Sequence, residues 1–398
     1  MKYIVLVPDG MADEPIKELK GKTPLEAAHT PHMDRMAREG QFGLVKTIPD
    51  GFHPGSDIGN LALMGYEPSL SFTGRAPLEA ASMGIFLDVD EVAFRCNLVT
   101  IIDGKMADYS AGHITTEESK NLIEDLAREL NWPDVRFYPG KSYRHLMVVK
   151  TISVERLLKV VTTPPHDILN QPVKKHLPHG PQCEILLNLT EKSKNFLSRH
   201  QINQFRTDEG LNPANMIWLW GQGCQPELKT FREKYQLTGS VISAVDLVNG
   251  IGKLAGLKVI DVPGANGYYD TNYAGKAEYG LASFKDHDFV YVHVEAPDEA
   301  GHNGDYKAKK ECIEHFDKEV VGRVLTYCDK HKNVRVVVAP DHPTPVAKRT
   351  HTRAPVPFAL FGKDIKASGA AAFSESEGVK KGLIYTSGKE LMDALLGR

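Results

Sequence analysis

Aspartate and histidine residues lie at three points of this 398-residue chain, each just after an apolar, strand-like run. The three runs are Lys2–Val7, Phe289–Val294 and Val334–Ala339. The residues that follow them are Asp9, then Asp298 and His302, then Asp341, His342 and, slightly later, His351. Carboxylate oxygens combined with imidazole nitrogens suit Zn²⁺, Mn²⁺ or Fe²⁺ better than Ca²⁺. Two such cations about 3.5–4 Å apart would support phosphoryl transfer.

A parallel α/β sheet would bring these three points together, because ligands bind outside the carboxyl ends of its strands. Strands and helices alternate near both ends of the chain, and Thr23 and Glu26 predict a capping box at an early helix. Beyond the three strands above, the pattern predicts helices Ser243–Leu254, Gly275–Phe284 and Lys307–Asp329 and strands Lys258–Val262 and Pro357–Gly362. We therefore predict an α/β fold with a mostly parallel sheet sandwiched by helices.

The middle of the chain follows a different pattern. Short β-like runs such as Val92–Thr100 and Arg144–Val149 accompany a charged helix at Glu117–Leu130. This composition predicts an α+β domain inserted into the first one. The predicted boundaries are 1–74 and 236–398 for the two parts of the catalytic domain and 75–235 for the insertion.

Ser56 is the candidate nucleophile. It follows Pro54 and Gly55 at the expected start of an amphipathic helix, where free backbone N–H groups favour an anion. A serine oxygen in contact with a divalent cation loses its proton more easily and can attack phosphorus. The segment by itself is also typical of a serine that only caps the helix. The predicted metal ligands favour the nucleophile.

The composition excludes several classes of partner. A formal net charge of −3 gives no reason to expect nucleic acid or an anionic membrane surface. No apolar run approaches the roughly 20 residues that cross a bilayer, and no signal peptide is visible. The five cysteines are scattered without a C-x-x-C motif, which favours a reducing, cytoplasmic location.

Several longer motifs carry a resemblance to a known family. They are VPDGMAD, PGSDIGNLALMGYEP, GRAPLEAASMGI, AFRCNLVT, YSAGHI, VHVEAPDEAGHNGD, APDHPTP and RTHTRAPVPF. Over nearly its full length the chain resembles the archaeal type of cofactor-independent phosphoglycerate mutase, within the alkaline phosphatase superfamily. The resemblance implies an alkaline-phosphatase-like sheet with a substrate-binding lid domain. It also implies interconversion of 3-phosphoglycerate and 2-phosphoglycerate in glycolysis and gluconeogenesis, without 2,3-bisphosphoglycerate.

The resemblance also implies a role for each candidate site residue. One metal ion would be held by Asp9, Ser56, Asp341 and His342, and a second by Asp298, His302 and His351. Manganese is the metal most often implied, with Mg²⁺, Co²⁺ or Zn²⁺ as substitutes. Ser56 would form a phosphoserine intermediate, and His113 in YSAGHI would move a proton between the glycerate oxygens. His113 is equally typical of an ordinary surface histidine.

Fixed cations are needed for the carboxylate and phosphate of a small phosphorylated substrate. Arginine suits them because its planar fork pairs with such anions through two hydrogen bonds. The candidates are Arg75, Arg95, Arg144 and Arg206 in the insertion and Lys276 in the catalytic domain. Each alone is also typical of a solvated surface charge.

Three other functions are compatible with these residues. A phosphotransferase of the same fold could act on another small alcohol, as proposed for homoserine kinases, and would need ATP. A metal-dependent phosphatase would release phosphate. A metal-binding structural protein would have no use for Ser56. The chain contains no G-x-x-x-x-G-K-[ST] motif, which lowers the prospect of a P-loop kinase.

Overall fold

The computed structural model describes residues 1–398, which divide into two compact units. The first comprises Met1–Phe72 and Glu227–Arg398, and the second comprises Thr73–Pro226. The insertion therefore ends before residue 235, where the sequence had predicted its boundary. The reason is aromatic packing, since the ring of Phe231 lies 4.5 Å from that of Phe289 in the first unit.

The strands, in chain order, are β1 Lys2–Pro8, β2 Gln41–Val45, β3 Glu91–Ile102, β4 Lys105–Asp108, β5 Val135–Tyr138, β6 Arg144–Lys150, β7 Met216–Gly223, β8 Gly239–Ile242, β9 Lys258–Val259, β10 Phe289–Val294, β11 Val334–Val338, β12 Val356–Gly362 and β13 Ile384–Tyr385. The α-helices are α1 Pro24–Ala27, α2 Pro31–Glu39, α3 Ser56–Leu63, α4 Pro68–Ser71, α5 Arg75–Ser82, α6 Thr116–Leu130, α7 Val154–Leu158, α8 Glu184–Leu197, α9 Gln201–Asp208, α10 Phe231–Tyr235, α11 Asp246–Leu254, α12 Tyr273–Ala282, α13 Ala296–Asn303, α14 Tyr306–His315, α15 Gly322–Lys330, α16 Glu375–Lys381 and α17 Gly388–Leu396. Short 3₁₀ turns and one π-helical segment complete the chain.

The first unit is built on an eight-stranded sheet with the order β13-β2-β12-β11-β1-β10-β8-β9. Only β12 runs antiparallel to its two neighbours, and every other pair is parallel. Strand β1 lies between β10 and β11, which are the three strands that precede the clustered aspartates and histidines. The predicted α/β class with a mostly parallel sheet is confirmed.

Burial on both faces explains the apolar runs of these strands. All six residues of β10 are buried, as are the last five of β1, whereas a one-sided strand would alternate. Amphipathic α2 contributes Met33, Met36 and Ala37 to this core. The capping box of Thr23 and Glu26 is present at the start of α1, as predicted.

The predicted helix Lys307–Asp329 is not one regular helix. A π-helical segment, Phe316–Val321, separates α14 from α15. It carries the buried Asp317, whose carboxylate accepts hydrogen bonds from the backbone N–H groups of His32 and Met33. The extra residue in this turn therefore serves the start of α2, a long-range contact that helical periodicity does not encode.

The second unit has a five-stranded, antiparallel sheet. Its long central strand β3 pairs with β4, β6 and β7, and β5 pairs with β6. Helices α6 and α8 contribute to the core on one face, whereas Arg95 and Trp220 lie on the other. The chain enters and leaves this unit at neighbouring points, because the Thr73 hydroxyl donates to the Cys224 carbonyl at 2.5 Å.

No helix in either unit has the length and apolar character needed to span a membrane.

Candidate active site

The carboxyl edge of the first sheet gathers the predicted metal ligands. Asp9 follows β1, Asp298 lies in the first turn of α13 after β10, and Asp341 follows β11. Gly10 permits the close approach of these segments. Its φ is +62°, and a Cβ there would lie only 2.8 Å from the Asp298 Cα. A side chain at this position would push the strand ends apart.

Asp9, His293 and Asp341 form one cluster of buried ligand atoms, all within 4.8 Å of one another. The Asp9 Oδ2 lies 3.0 Å from the His293 Nε2. This contact is close but is not a hydrogen bond. The His293 Nε2 and the other carboxylate oxygen, Asp9 Oδ1, are therefore buried atoms without a hydrogen-bond partner. Buried polar atoms are normally satisfied, so these two orphaned atoms and the neighbouring carboxylate fit a divalent cation.

A second cluster surrounds the carboxylate of Asp298. The His302 Nε2 lies 3.2 Å from its Oδ2, and the His351 Nε2 lies 3.6 Å from its Oδ1. The two histidine Nε2 atoms are 2.9 Å apart. His342 also belongs here, since ligand atoms of Asp298, His342 and His351 lie within 4.8 Å of one another. One carboxylate facing three imidazoles is a donor set that suits a transition metal or zinc.

The protonation of the first cluster reflects its burial. Burial and the negative charges of Asp341 and Asp298 raise the pKa of Asp9 well above its ordinary value. Burial also lowers the pKa of His293 to about 4, so that its imidazole is neutral at pH 7. A neutral imidazole is the form that binds metals, and a bound cation would relieve the repulsion among the carboxylates.

Ser56 is the first residue of α3 and lies between the two clusters. Its Oγ is 3.1 Å from the His342 Nε2 and 3.5 Å from the Asp9 Oδ2. Gly55, not Ser56, occupies the position that caps α3. The alternative role of Ser56 as an N-cap is therefore wrong. The hydroxyl instead lies among the side chains of the candidate metal ligands.

Two residues that the sequence analysis missed fix Asp341. The Asn60 side-chain amide donates to the Asp341 Oδ2 at 2.8 Å and to the Ser56 carbonyl at 2.9 Å. Tyr291 in turn donates its hydroxyl to the Asn60 Oδ1 at 2.7 Å. The sequence gives little warning of these contacts, because Tyr291 and His293 lie in the apolar run FVYVHV and resemble ordinary core residues.

A buried ion pair ties two of the ligand-bearing loops together. The Lys309 Nζ lies 2.8 Å from the Asp13 Oδ2, and both side chains are fully buried. Lys309 also donates to the Thr344 carbonyl at 2.8 Å. The Thr344 hydroxyl donates to the Asp298 carboxylate. The pair thus connects the loop after β1 with the loop after β11.

Lys276, predicted to hold phosphate, lies completely buried on α12. Its Nζ donates to the His293 carbonyl at 3.0 Å. Burial lowers its pKa to about 8, against the opposing influence of the Glu295 and Asp9 charges. The ammonium group therefore lies beside the cluster of Asp9, His293 and Asp341.

Arg75 and Arg95 lie together on the second unit. Glu79 accepts from the Nε of Arg95 at 2.9 Å and from the Nε of Arg75 at 3.3 Å. The Arg95 guanidinium also stacks on Trp220, 4.0 Å from the ring centroid. Burial lowers the pKa of Arg95 to about 10 despite the opposing charge of Glu79. Arg144, the third candidate, is exposed beside Tyr143.

Arg206 does not have the surroundings of a substrate-binding residue. Its side chain is only 3% exposed. The guanidinium donates to both carboxylate oxygens of Glu118 and to the carbonyls of Ala111 and Asn212, each at 2.8–3.0 Å. A substrate anion would have to displace these partners, so these contacts favour a structural role over the predicted one.

His113, the predicted proton carrier, is exposed at the end of a loop on the second unit. Ala111, Gly112 and His113 all have positive φ values, of 51°, 67° and 50°. For residues other than glycine this left-handed conformation costs roughly 1–2 kcal/mol each. Strain of this kind persists only where the surrounding structure enforces it.

The fold and these clusters define a class: an α/β protein with a mostly parallel sheet whose carboxyl edge carries a serine and two groups of candidate metal ligands. A family profile described as 2,3-bisphosphoglycerate-independent phosphoglycerate mutase matches residues 37–203. A probable mutase of this description from Geobacter sulfurreducens is 50% identical, over 100% of both chains. One from Methanosarcina acetivorans is 50% identical over 96% of each chain. The chain belongs to the family of 2,3-bisphosphoglycerate-independent phosphoglycerate mutases.

Two solved structures are similar to this chain over its full length. A cofactor-independent phosphoglycerate mutase from Thermoplasma acidophilum has a TM-score of 0.67 at 25% identity, covering 100% of this chain and 99% of its own. A protein from Pyrococcus horikoshii has a TM-score of 0.84 at 29% identity, covering 100% and 97%.

Proposed function

We propose that this protein interconverts 3-phosphoglycerate and 2-phosphoglycerate without 2,3-bisphosphoglycerate, through a phosphoserine formed on Ser56. The observation that carries the proposal is the position of Ser56 in a member of this mutase family. Its Oγ lies 3.5 Å from the Asp9 Oδ2 and 3.1 Å from the His342 Nε2, both of which are candidate ligands of the first ion. The hydroxyl is also at the N-terminus of α3, where free backbone N–H groups favour a phosphoryl group.

Two divalent cations would bind at this site, and the family resemblance makes manganese the first choice. The first ion would be held by Asp9, Ser56, Asp341 and His342. The second would be held by Asp298, His302 and His351. The orphaned atoms Asp9 Oδ1 and His293 Nε2 support this donor set and add His293 to the surroundings of the first ion. When bound, such cations lower the pKa of a coordinated hydroxyl and stabilise charge on a transferring phosphoryl group.

The reaction requires two phosphoryl transfers and two proton transfers. The Ser56 hydroxyl releases its proton to solvent before the first transfer, and its oxygen is again an alkoxide after the second, so both proton transfers within the cycle belong to His113. In the first transfer, the Ser56 Oγ bonds to phosphorus while the bond from phosphorus to the glycerate 3-oxygen breaks. His113 gives a proton to that oxygen. In the second, His113 takes the proton of the glycerate 2-hydroxyl, whose oxygen bonds to phosphorus as the serine bond breaks. An imidazole suits both directions because it gives and accepts protons near neutral pH.

The anionic groups of the substrate need cationic partners. We assign Arg75, Arg95 and Arg144 on the second unit to this role, together with Lys276 on the first. The support is the contact of Arg95 with both Glu79 and Trp220, which fixes the direction of its guanidinium. The second unit is thereby assigned the substrate-binding role predicted for a lid.

The five free cysteines support a cytoplasmic location.

A coupled assay tests the proposal. Metal-loaded protein would receive 3-phosphoglycerate and enolase, without 2,3-bisphosphoglycerate, while free phosphate is measured in parallel. Formation of 2-phosphoglycerate with little phosphate supports the mutase. Phosphate release alone would indicate a phosphatase. A product that forms only with ATP and another alcohol would indicate a phosphotransferase. Family membership does not favour these two alternatives.

A further inference from the structure

The loop that carries His113 is held from within the second unit by two charged side chains. It follows β4 and contains three consecutive residues, Ala111, Gly112 and His113, in the left-handed conformation. Such a run does not arise from local preference, because only glycine visits this region readily. Neighbouring groups must therefore impose it.

Asp108, at the end of β4, fixes the backbone N–H groups of the loop. Its Oδ1 accepts from the N–H of Ser110 at 2.7 Å and from the Ser110 hydroxyl at 2.6 Å. Its Oδ2 accepts from the N–H of Gly112 at 2.8 Å. The Ser110 hydroxyl oxygen in turn accepts from the N–H of His113 at 3.2 Å. One carboxylate thus holds three amides, directly or through one hydroxyl.

Arg206, on α9, fixes a carbonyl of the same loop. Its Nη2 donates to the Ala111 carbonyl at 2.8 Å, and its Nη1 donates to both oxygens of Glu118 at 3.0 Å. Glu118 also forms the capping box that begins α6, with Thr115. The guanidinium therefore joins the loop to the start of a helix.

His113 is the ring side chain of this loop that is exposed to solvent. Ala111 and Ile114 are buried in the core of the second unit, and Ser110 is 2% exposed. His113 is exposed, with its ring centroid 6.4 Å from that of Tyr143. The buried contacts of the loop therefore fix the backbone that carries a solvent-exposed imidazole.

We infer that Asp108 and Arg206 are positioning residues for His113. They impose the strained backbone that sets the direction of its imidazole, and neither contacts the substrate. The inference rests on the proposed function, which gives His113 its proton-transfer role. A proton carrier must lie within hydrogen-bond reach of the oxygen it serves, so a displaced imidazole lowers kcat more than it raises KM.

A double-mutant cycle in the full-length, metal-loaded protein tests this inference. The variants are Arg206→Met, His113→Gln and the two combined, assayed by coupling to enolase. Arg199→Met, at an exposed arginine, is the matched control. His113→Gln should lower kcat by about 10²–10⁴-fold. Arg206→Met should lower it by about 10–100-fold with KM changed less than about threefold, as for other residues that orient a reacting group.

The decisive comparison is the combined variant. If Arg206 acts through His113, the double variant is no slower than His113→Gln, because no imidazole remains to be positioned. If the two losses multiply, Arg206 serves the fold in general and the inference is overturned. Full activity of Arg206→Met would overturn it as well.

Asp108→Asn provides a second route if Arg206→Met does not fold, as judged by circular dichroism. An amide cannot accept on both sides as the carboxylate does, so this variant should show the same loss of kcat and the same lack of additivity with His113→Gln. Losses that multiply here would again overturn the inference. A wild-type protein that forms no 2-phosphoglycerate refutes the proposed function itself. An active wild type with a fully active His113→Gln refutes only the role of His113 and this inference.

Discussion

The two candidate catalytic groups are held in opposite ways. Ser56 lies in the first unit near buried candidate ligands, among them Asp9, Asp298 and Asp341, that follow strands of one mostly parallel sheet. His113 lies in the second unit, exposed on a strained loop that Asp108 and Arg206 hold by hydrogen bonds. In the first unit the backbone topology sets the positions, whereas in the second a few side-chain contacts do. In the first unit, activity should therefore be most sensitive to replacing a reacting side chain. In the second unit, it should also be sensitive to replacing the residues that hold the loop of His113.

The largest effect is expected from removing the nucleophile. Ser56→Ala should reduce mutase activity by more than about 10³-fold, since no phosphoserine can form. The coupled assay measures the loss, and circular dichroism should report an unchanged fold. Ser69→Ala, at an exposed serine of the same unit, is the control and should remain fully active. Residual turnover of Ser56→Ala above about 10⁻³ of wild type would contradict the mechanism.

Breaking the buried pair of Lys309 and Asp13 should weaken metal binding in the first unit. Lys309→Met leaves the Asp13 carboxylate buried and unpaired, which destabilises a protein by about 3–5 kcal/mol. Because the pair joins two ligand-bearing loops, Mn²⁺ affinity measured by calorimetry should fall by about 10–100-fold.

Lys310→Met is a control on the adjacent residue, whose ion pair with Glu314 is at the surface. It should change the free energy of unfolding by less than about 1 kcal/mol. Equal effects of the two substitutions would show that burial of the Lys309 pair is not what matters.

A smaller effect is expected from replacing Arg95 by lysine, which alters the shape of the cationic group and keeps its charge. Arg95→Lys keeps the positive charge but loses the planar fork that contacts Glu79 and Trp220. The KM for 3-phosphoglycerate should rise by about tenfold, the equivalent of one hydrogen bond to a charged group. Arg128→Lys, at an arginine with a side chain 77% exposed, should leave KM unchanged. An unaltered KM for Arg95→Lys would remove Arg95 from the substrate-binding set.

The smallest effect on activity at neutral pH is expected at His145, which concerns the acid stability of the second unit. Burial lowers the pKa of His145 to about 3, from an ordinary value near 6.5. The unfolded chain therefore binds a proton that the native state does not, and stability is lost as the pH falls from about 6.5 toward about 3. The slope for one proton is about 1.4 kcal/mol per pH unit.

Urea unfolding followed by tryptophan fluorescence isolates this effect, because all three tryptophans, at positions 132, 218 and 220, lie in the second unit. His145→Gln should flatten the dependence on pH in this window. An unchanged slope would assign the acid sensitivity to other groups.

The sequence predicted that the candidate ligands after the strands lie near one another, because a parallel sheet gathers carboxyl ends whatever the details of packing. Asp9, Asp298 and Asp341 were found in this way, and β10 begins and ends where its apolar run does. His293 was not predicted as a candidate ligand, because a single histidine in an apolar strand resembles a core residue. The contacts of Arg206 were not predicted, because its partners, Glu118 and Ala111, are about 90 residues away in the chain and no local pattern encodes such a contact.

The neighbouring entry and exit points of the second unit have an evolutionary consequence. Thr73 and Cys224 are joined by one hydrogen bond, so residues 73–226 form a cassette whose two ends meet. A host chain can gain, lose or exchange such a cassette without altering the path of its own backbone. The phosphoryl transfer proposed for one unit and the substrate binding proposed for the other can therefore diversify as separate modules.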